Sequence, residues 1–284
     1  MNQITLAIAD YNAGRDPERL RRKLALIAAD PFAFMRGTCH CFYAGLSALP
    51  AAPVLRAAPR VWICGDLHLE NFGTFKGDNR LVYFDLNDFD ETRPSRLSRS
   101  IWCAWPPASG WPRKACVWVR GRRGQSGGPD GNFLIDIKCA APSALKPHLT
   151  GPQPKWESEA RRVVTIQTMV QAAPPALLGT AALGGASFLV KELQPAADRL
   201  NLSLWNGRIK RLEQVIVAMA QVTAWGHLRS CGRLGAATVE ELAASAAAPH
   251  WQQELGALAR EAGAMVTEQW HAYAKDFRSG IVKC

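Results

Sequence analysis

The chain has 284 residues, 48% of them hydrophobic and 20% charged, with a net charge of +10; this describes a globular chain of one large domain or two small ones, without repeats or low-complexity tracts. The positive charge does not make a nucleic-acid binder, because eight basic residues and no acid fall within 93–129, leaving the remainder near neutral. No stretch is long and apolar enough to span a membrane, and the first residues lack the apolar centre of a signal peptide, so a cytoplasmic protein with reduced thiols is expected.

Asp16-Pro17-Glu18 begins a helix, with Asp as N-cap and Pro at the first helical position; Leu20, Leu24 and Ile27 carry its apolar stripe to about residue 29. Phe32 and Phe34 read as core, and Arg36 as an ion-pair or phosphate partner. Cys39 and Cys41 flank His40 too closely for a zinc knuckle, and none of the eight cysteines forms a CxxC pair. Residues 60–91 then read as strand, polar loop, turn, strand, polar loop. The apolar runs are 61–64 and 81–84, and Gly77-Asp78-Asn79 is the turn. Asp66, His68, Glu70 and Asn71 follow the first run; Asp85, Asn87, Asp88, Asp90 and Glu91 follow the second. Acids gathered at strand ends are costly unless they bind a cation or move protons.

Residues 94–129 change character. Trp102, Trp105, Trp111 and Trp118 stand among prolines, arginines and glycines, with no helical or strand period. Part of this segment is expected to be an out-of-frame translation. A nucleotide string encoding Leu-Val-Arg-Leu-Ala-Thr-Ser-Ile yields the peptide at 102–109 when read one base later, and the restored sequence is an amphipathic helix. Regular pattern returns near Val117. A strand is expected over 132–138 after the Gly127-Gly128-Pro129-Asp130-Gly131 turn, then a helix over 156–171 and strands over 176–182 and 187–191. A long helix at 208–229 and two more near 238–247 and 251–276 complete the chain.

The spacing Asp66-x4-Asn71 is that of the catalytic loop in protein-kinase-like phosphotransferases, where the Asp takes the acceptor proton and the Asn binds a metal ion. A second metal-binding Asp belongs at the end of a following hairpin strand. Asp85 sits there, with Asp88 in reserve, and Mg²⁺ between nucleotide phosphates suits such oxygen donors. Lys138, ending a strand after a tight turn, is the candidate ATP-phosphate contact, and Glu159 on the next helix its ion-pair partner. Lys191 reads as a solvated strand-end lysine.

The stretches DPFAFMRGTCHCFY, GDLHLENFG, FDLNDFDE, GGPDGNFLIDIKCAAPSALKPHL, EARRVV, FLVKELQPAADRL and AWGHLRSCGR resemble the DUF2252 family of bacterial proteins over residues 16–92 and about 117–275. The resemblance implies an α+β, protein-kinase-like fold in circularly permuted order. On that basis 1–92 is part of the catalytic lobe, 93–116 an aberrant segment, 117–197 a small β-rich lobe and 198–284 a helical part of the catalytic lobe. It implies Mg²⁺ and ATP as ligands, with an unknown acceptor and neither nucleic acid nor membrane as partner. The family's glycine-rich phosphate loop before the lysine strand has no counterpart, since Gly110 is the only glycine between Gly77 and Gly121. An internally truncated chain is therefore expected. A non-catalytic remnant or binding module is the first alternative. A two-metal phosphoesterase is the second, because Gly-Asp-x-His also occurs there, although His148, His227, His250 and His271 show no matching pattern.

Overall fold

A computed structural model describes residues 1–46, 48–95, 115–121, 131–149, 151–194 and 206–282, with backbone alone for 94–95, 115–121 and 131–133. The peptide at 102–109, for which an out-of-frame translation is expected, lies outside them. The fold mixes helix and sheet.

Five short helices begin the chain: α1 (Gln3–Tyr11), α2 (Pro17–Ala29), α3 (Pro31–Gly37), α4 (Cys39–Leu46) and α5 (Pro53–Ala57). Asp-Pro starts two of them. Asp16 accepts from the Arg19 amide at 2.9 Å, and Asp30 from the Ala33 amide at 2.6 Å. These helices wrap the long final helix α9 (Trp251–Arg278), whose Leu258, Val266 and Tyr273 join Ile8, Ile27, Phe34 and Leu46 in one core.

Strand β1 (Val61–Ile63) is buried on both faces. Val61 and Ile63 face the core around α9. Trp62 and the following Cys64 face a second core, with Phe72, Leu86, Ile166 and Met219. That second core is completed by α6 (Glu159–Val170) and α7 (Ile209–Ser230).

The hairpin differs from the sequence expectation. Strand β3 (Val82–Leu86) pairs not with β1 but with β2 (Phe72–Lys76), while β1 pairs with β4 (Arg93–Ser95). Within Phe72-Gly73-Thr74-Phe75, Gly73 and Thr74 hide a strand because they break the apolar run. A four-stranded antiparallel sheet has the order β5 (Ala115–Gly121), β6 (Gly131–Cys139), β8 (Ala186–Glu192), β7 (Gly179–Leu183). It meets the hairpin where the Ala176 amide donates to Lys76 C=O at 2.8 Å and Arg80 pairs with Glu192. Helix α8 (Val239–Ala247), held by a Thr238–Glu241 capping box, lies between α7 and α9 in sequence.

Candidate active site

The first loop leaves β1 through two residues with left-handed backbone, Gly65 at φ +68° and Asp66 at φ +34°. Gly65 also needs the absence of a side chain. A Cβ there would stand 2.4 Å from Glu91 Cβ and 2.7 Å from Glu91 O, so the bare backbone lets the two acidic loops touch. A positive φ is costly for aspartate, and such strain gathers at functional sites. The Asp66 amide donates to Tyr43 Oη at 3.1 Å. Burial pushes the Asp66 carboxyl up to about 8; Arg36 opposes the shift, and the charges of Asp88 and Glu91 reinforce it.

A 3₁₀ turn, Leu69–Asn71, closes the loop. The His68 amide donates to Asn71 Oδ1 at 3.0 Å, and the Glu70 amide to His68 Nδ1 at 3.1 Å. His68 Nδ1 is thus an acceptor, which makes Nε2 the protonated nitrogen. Burial pulls the imidazole down to about 3, so it is neutral, and its Nε2–H is buried with no hydrogen-bond partner among the described residues. Arg36 pairs with Glu70 at 2.8 Å, the ion-pair reading of this arginine.

The second loop lies beside the first because β2 and β3 start and finish together: Phe72 faces Leu86, and the Asn87 amide donates to Asn71 C=O at 2.7 Å. Beyond Asn87, Asp88 Oδ1 accepts from the Asp90 amide at 3.1 Å. Lys138, on β6, bonds Asp90 directly and lies 4.0 Å from Asp88. Burial alone would raise Asp88, but Lys138, the Asp90 amide and Lys191 outweigh it and hold the carboxyl below its usual range. Burial likewise opposes the Lys138 charge, and Asp88 and Asp90 outweigh it. Asp66, Asp88 and Lys138, far apart in sequence, therefore share one electrostatic site.

Three assignments differ from the sequence reading. Asp85 does not join this cluster: it accepts from the Ala172 amide at 3.1 Å and from Arg229 at 3.4 Å, tying β3 to α7 and the loop after α6. Burial raises its carboxyl all the same. Glu159 does not meet Lys138. Its carboxylate bonds Arg162 and lies 3.3 Å from Arg93, two arginines with almost no exposure. Arg162 also donates to the carbonyls of Thr92 at 2.7 Å and Asp90 at 2.8 Å, so Glu159 neutralises the guanidinium that pins the acidic loop. Lys191 is half-buried rather than free in solvent: its Nζ lies 3.3 Å from Asn87 Oδ1 and its charge acts on Asp88 and Asp90. Side-chain direction decides all three, and the strand-end pattern alone carries no such information.

His68, Asp90 and Lys191 are the members that sequence reasoning did not assign. Asp90 and His68 belonged to the same acidic runs, so spacing within GDLHLEN and NDFDE was the available signal; for Lys191 there was none before β8 paired with β6, opposite Asp136. Asn71 and Asp88 carry oxygen atoms of the kind a hard cation takes, but Asn71 Oδ1 already accepts the His68 amide and an ammonium already lies against Asp88 and Asp90. Among the described residues, no three His, Cys, Asp or Glu side chains converge as a ready metal cage. His148, His227, His250 and His271 belong to separate elements: a 3₁₀ turn, α7, the residue before α9, and α9.

A family model described as an uncharacterised protein conserved in bacteria, DUF2252, matches residues 15–100 and 116–276. The chain belongs to the DUF2252 family. Both loops of the site and the lysine strand lie inside the matched residues of this DUF2252 protein, and 101–115 fall between them. No curated protein and no solved structure matches it. Among its described residues no helix is long and apolar enough to cross a membrane.

Proposed function

We propose that this DUF2252 protein carries a kinase-like phosphotransfer site, using Mg²⁺ and ATP and passing the γ-phosphoryl group to a hydroxyl acceptor. One observation supports this reading above others: Asp66, raised to about 8, shares its surroundings with Asp88, which is ion-paired to a strand lysine. A base and a metal-binding carboxylate need opposite pKa shifts, and these two have them. In the proposed reaction Asp66 accepts the acceptor hydroxyl proton. The acceptor oxygen bonds to the γ-phosphorus as the bond to the bridging oxygen breaks, and ADP leaves with that electron pair. Asn71 and Asp88 would hold Mg²⁺ through oxygen, and the ion would neutralise phosphate charge; Asp85 is reassigned to holding α7. Lys138 and Lys191 face the phosphates, and the unpartnered His68 Nε2–H supplies one more donor to a phosphoryl oxygen.

The two-lobe, permuted kinase-like fold is part of this proposal. Its support is the order of parts: a catalytic-type loop and a carboxylate hairpin before the lysine strand, with α7 packed behind both. The test is thermal stabilisation of the folded chain by Mg·ATP, followed by transfer of labelled γ-phosphate. A folded chain that neither binds nor transfers refutes the activity. The non-catalytic alternative rests on the span between Gly77 and Gly121, where Gly110 stands alone and the family's glycine-rich loop has no counterpart. Stabilisation by Mg·ATP of an intact relative, but not of this chain, favours it. The internal frameshift is also proposed, and the family model's passing over 101–115 supports it.

A further inference from the structure

Asp66 also lines a cavity of about 560 Å³ to whose lining neither Asp88 nor Lys138 belongs. Its volume falls in the small-molecule range of roughly 300–1,000 Å³. Gly65, Asp66 and Leu67 form one end. Along α7, Ala220, Thr223, Ala224 and His227 face it at helical spacing, and the small side chains of the first three leave it room. Leu242 and Ala246 of α8 and Phe42 of α4 supply further apolar wall. His227 is held neutral by burial, pulled down to about 4, so that wall carries no charge opposite Asp66.

We propose that this cavity is the acceptor site and that the acceptor is an apolar molecule carrying a hydroxyl, an aliphatic or aromatic alcohol. The proposal rests on the phosphotransfer reading for the role of Asp66. Asp66 stands at the boundary of two compartments, one lined with acids and lysines that suits phosphates, the other apolar. A hydroxyl at the Asp66 end meets the base while its hydrocarbon body fills the cavity. A sugar, aminoglycoside or charged peptide would leave hydroxyls or ammonium groups unpartnered against aliphatic walls, each at a desolvation cost with nothing to offset it. The Cys39 thiol, kept protonated by burial and by the charge of Asp66, lines the same cavity from α4.

The test uses 1-decanol as the probe, glycerol as the polar control, and calorimetric titration of the full chain. Saturable decanol binding without glycerol binding is expected. Ala224→Phe, which fills the cavity from α7, is expected to weaken decanol at least about tenfold while leaving Mg·ATP stabilisation unchanged. Ala243→Leu on α8 is the milder second variant, and Asp66→Asn is expected to keep decanol binding while losing transfer. Mg·ATP binding without decanol binding, or decanol binding indifferent to both filling variants, overturns the cavity assignment alone. Decanol binding to a folded chain that never binds Mg·ATP overturns the phosphotransfer reading and, with it, the acceptor role.

Discussion

Asp66 is held in a form that folding does not favour at high pH. Its folded value of about 8 lies above the ordinary aspartate range, so the folded state binds more protons than the unfolded chain between about pH 4 and 8. Its contribution is therefore a penalty that grows as pH rises through that window and is complete above it. Asp66→Asn removes the penalty. Melting temperatures of the metal-free variant and parent should nearly coincide at pH 4 and diverge by pH 9, the variant being more stable; an offset constant with pH would contradict this. Two neighbouring substitutions separate site from scaffold. Asp88→Asn should abolish Mg·ATP stabilisation, while Asp85→Asn should retain it, since Asp85 serves Arg229 and the Ala172 amide. Glu159→Gln leaves the fully buried Arg162 without its carboxylate, an uncompensated charge costing about 3–5 kcal/mol. The expected outcome is a marked fall in melting temperature with Mg·ATP affinity of the folded protein unchanged. Lys138→Met should do the reverse to affinity.

At the scale of elements, the site depends on backbone contact between two loops. Gly65 permits it twice over, by its φ of +68° and by the space its side chain would take from Glu91. Gly184 has a φ of +57° but open space around it. Gly184→Ala should cost about 1 kcal/mol, the backbone term alone, and Gly65→Ala about 3 kcal/mol or more, because Glu91 is fixed by Ser143 and the Ala144 amide and cannot yield. Equal shifts in denaturant midpoint for the two variants would remove the close-approach argument. The strands around this contact were only partly legible. Val61–Ile63 and Val82–Leu86 stood out as apolar runs, and α6, α7 and α9 as amphipathic periods. Phe72–Lys76 did not, nor did the four short helices α1, α3, α4 and α5, because each is too brief for its period to rise above its neighbours.

At the scale of the whole molecule, two cores meet across β1, and the acidic site opens where both end. The segment 96–114 lies outside the described residues, and its proposed frameshift is decided by the coding DNA. Codons there should spell the amphipathic helix one base away, and a coding string unable to do so ends the proposal. A frame-restored chain should melt higher than this one and gain more stability from Mg·ATP.

Local order and motif spacing were written in the sequence itself. Turn residues, helix caps and apolar periods mark most elements, and Asp66-x4-Asn71 with the acids after residue 84 mark the site, because these signals act over a few residues. The partner of each charge came only from the tertiary structure. Which aspartate meets Lys138, that Glu159 meets Arg93, and that Lys191 reaches Asn87 follow from strand register and from elements packed together from separate parts of the chain. Pairings such as Lys138–Asp90 and Lys191–Asn87, between side chains distant along the chain, leave no periodic trace in it, whereas Glu159–Arg162 spans one helical turn.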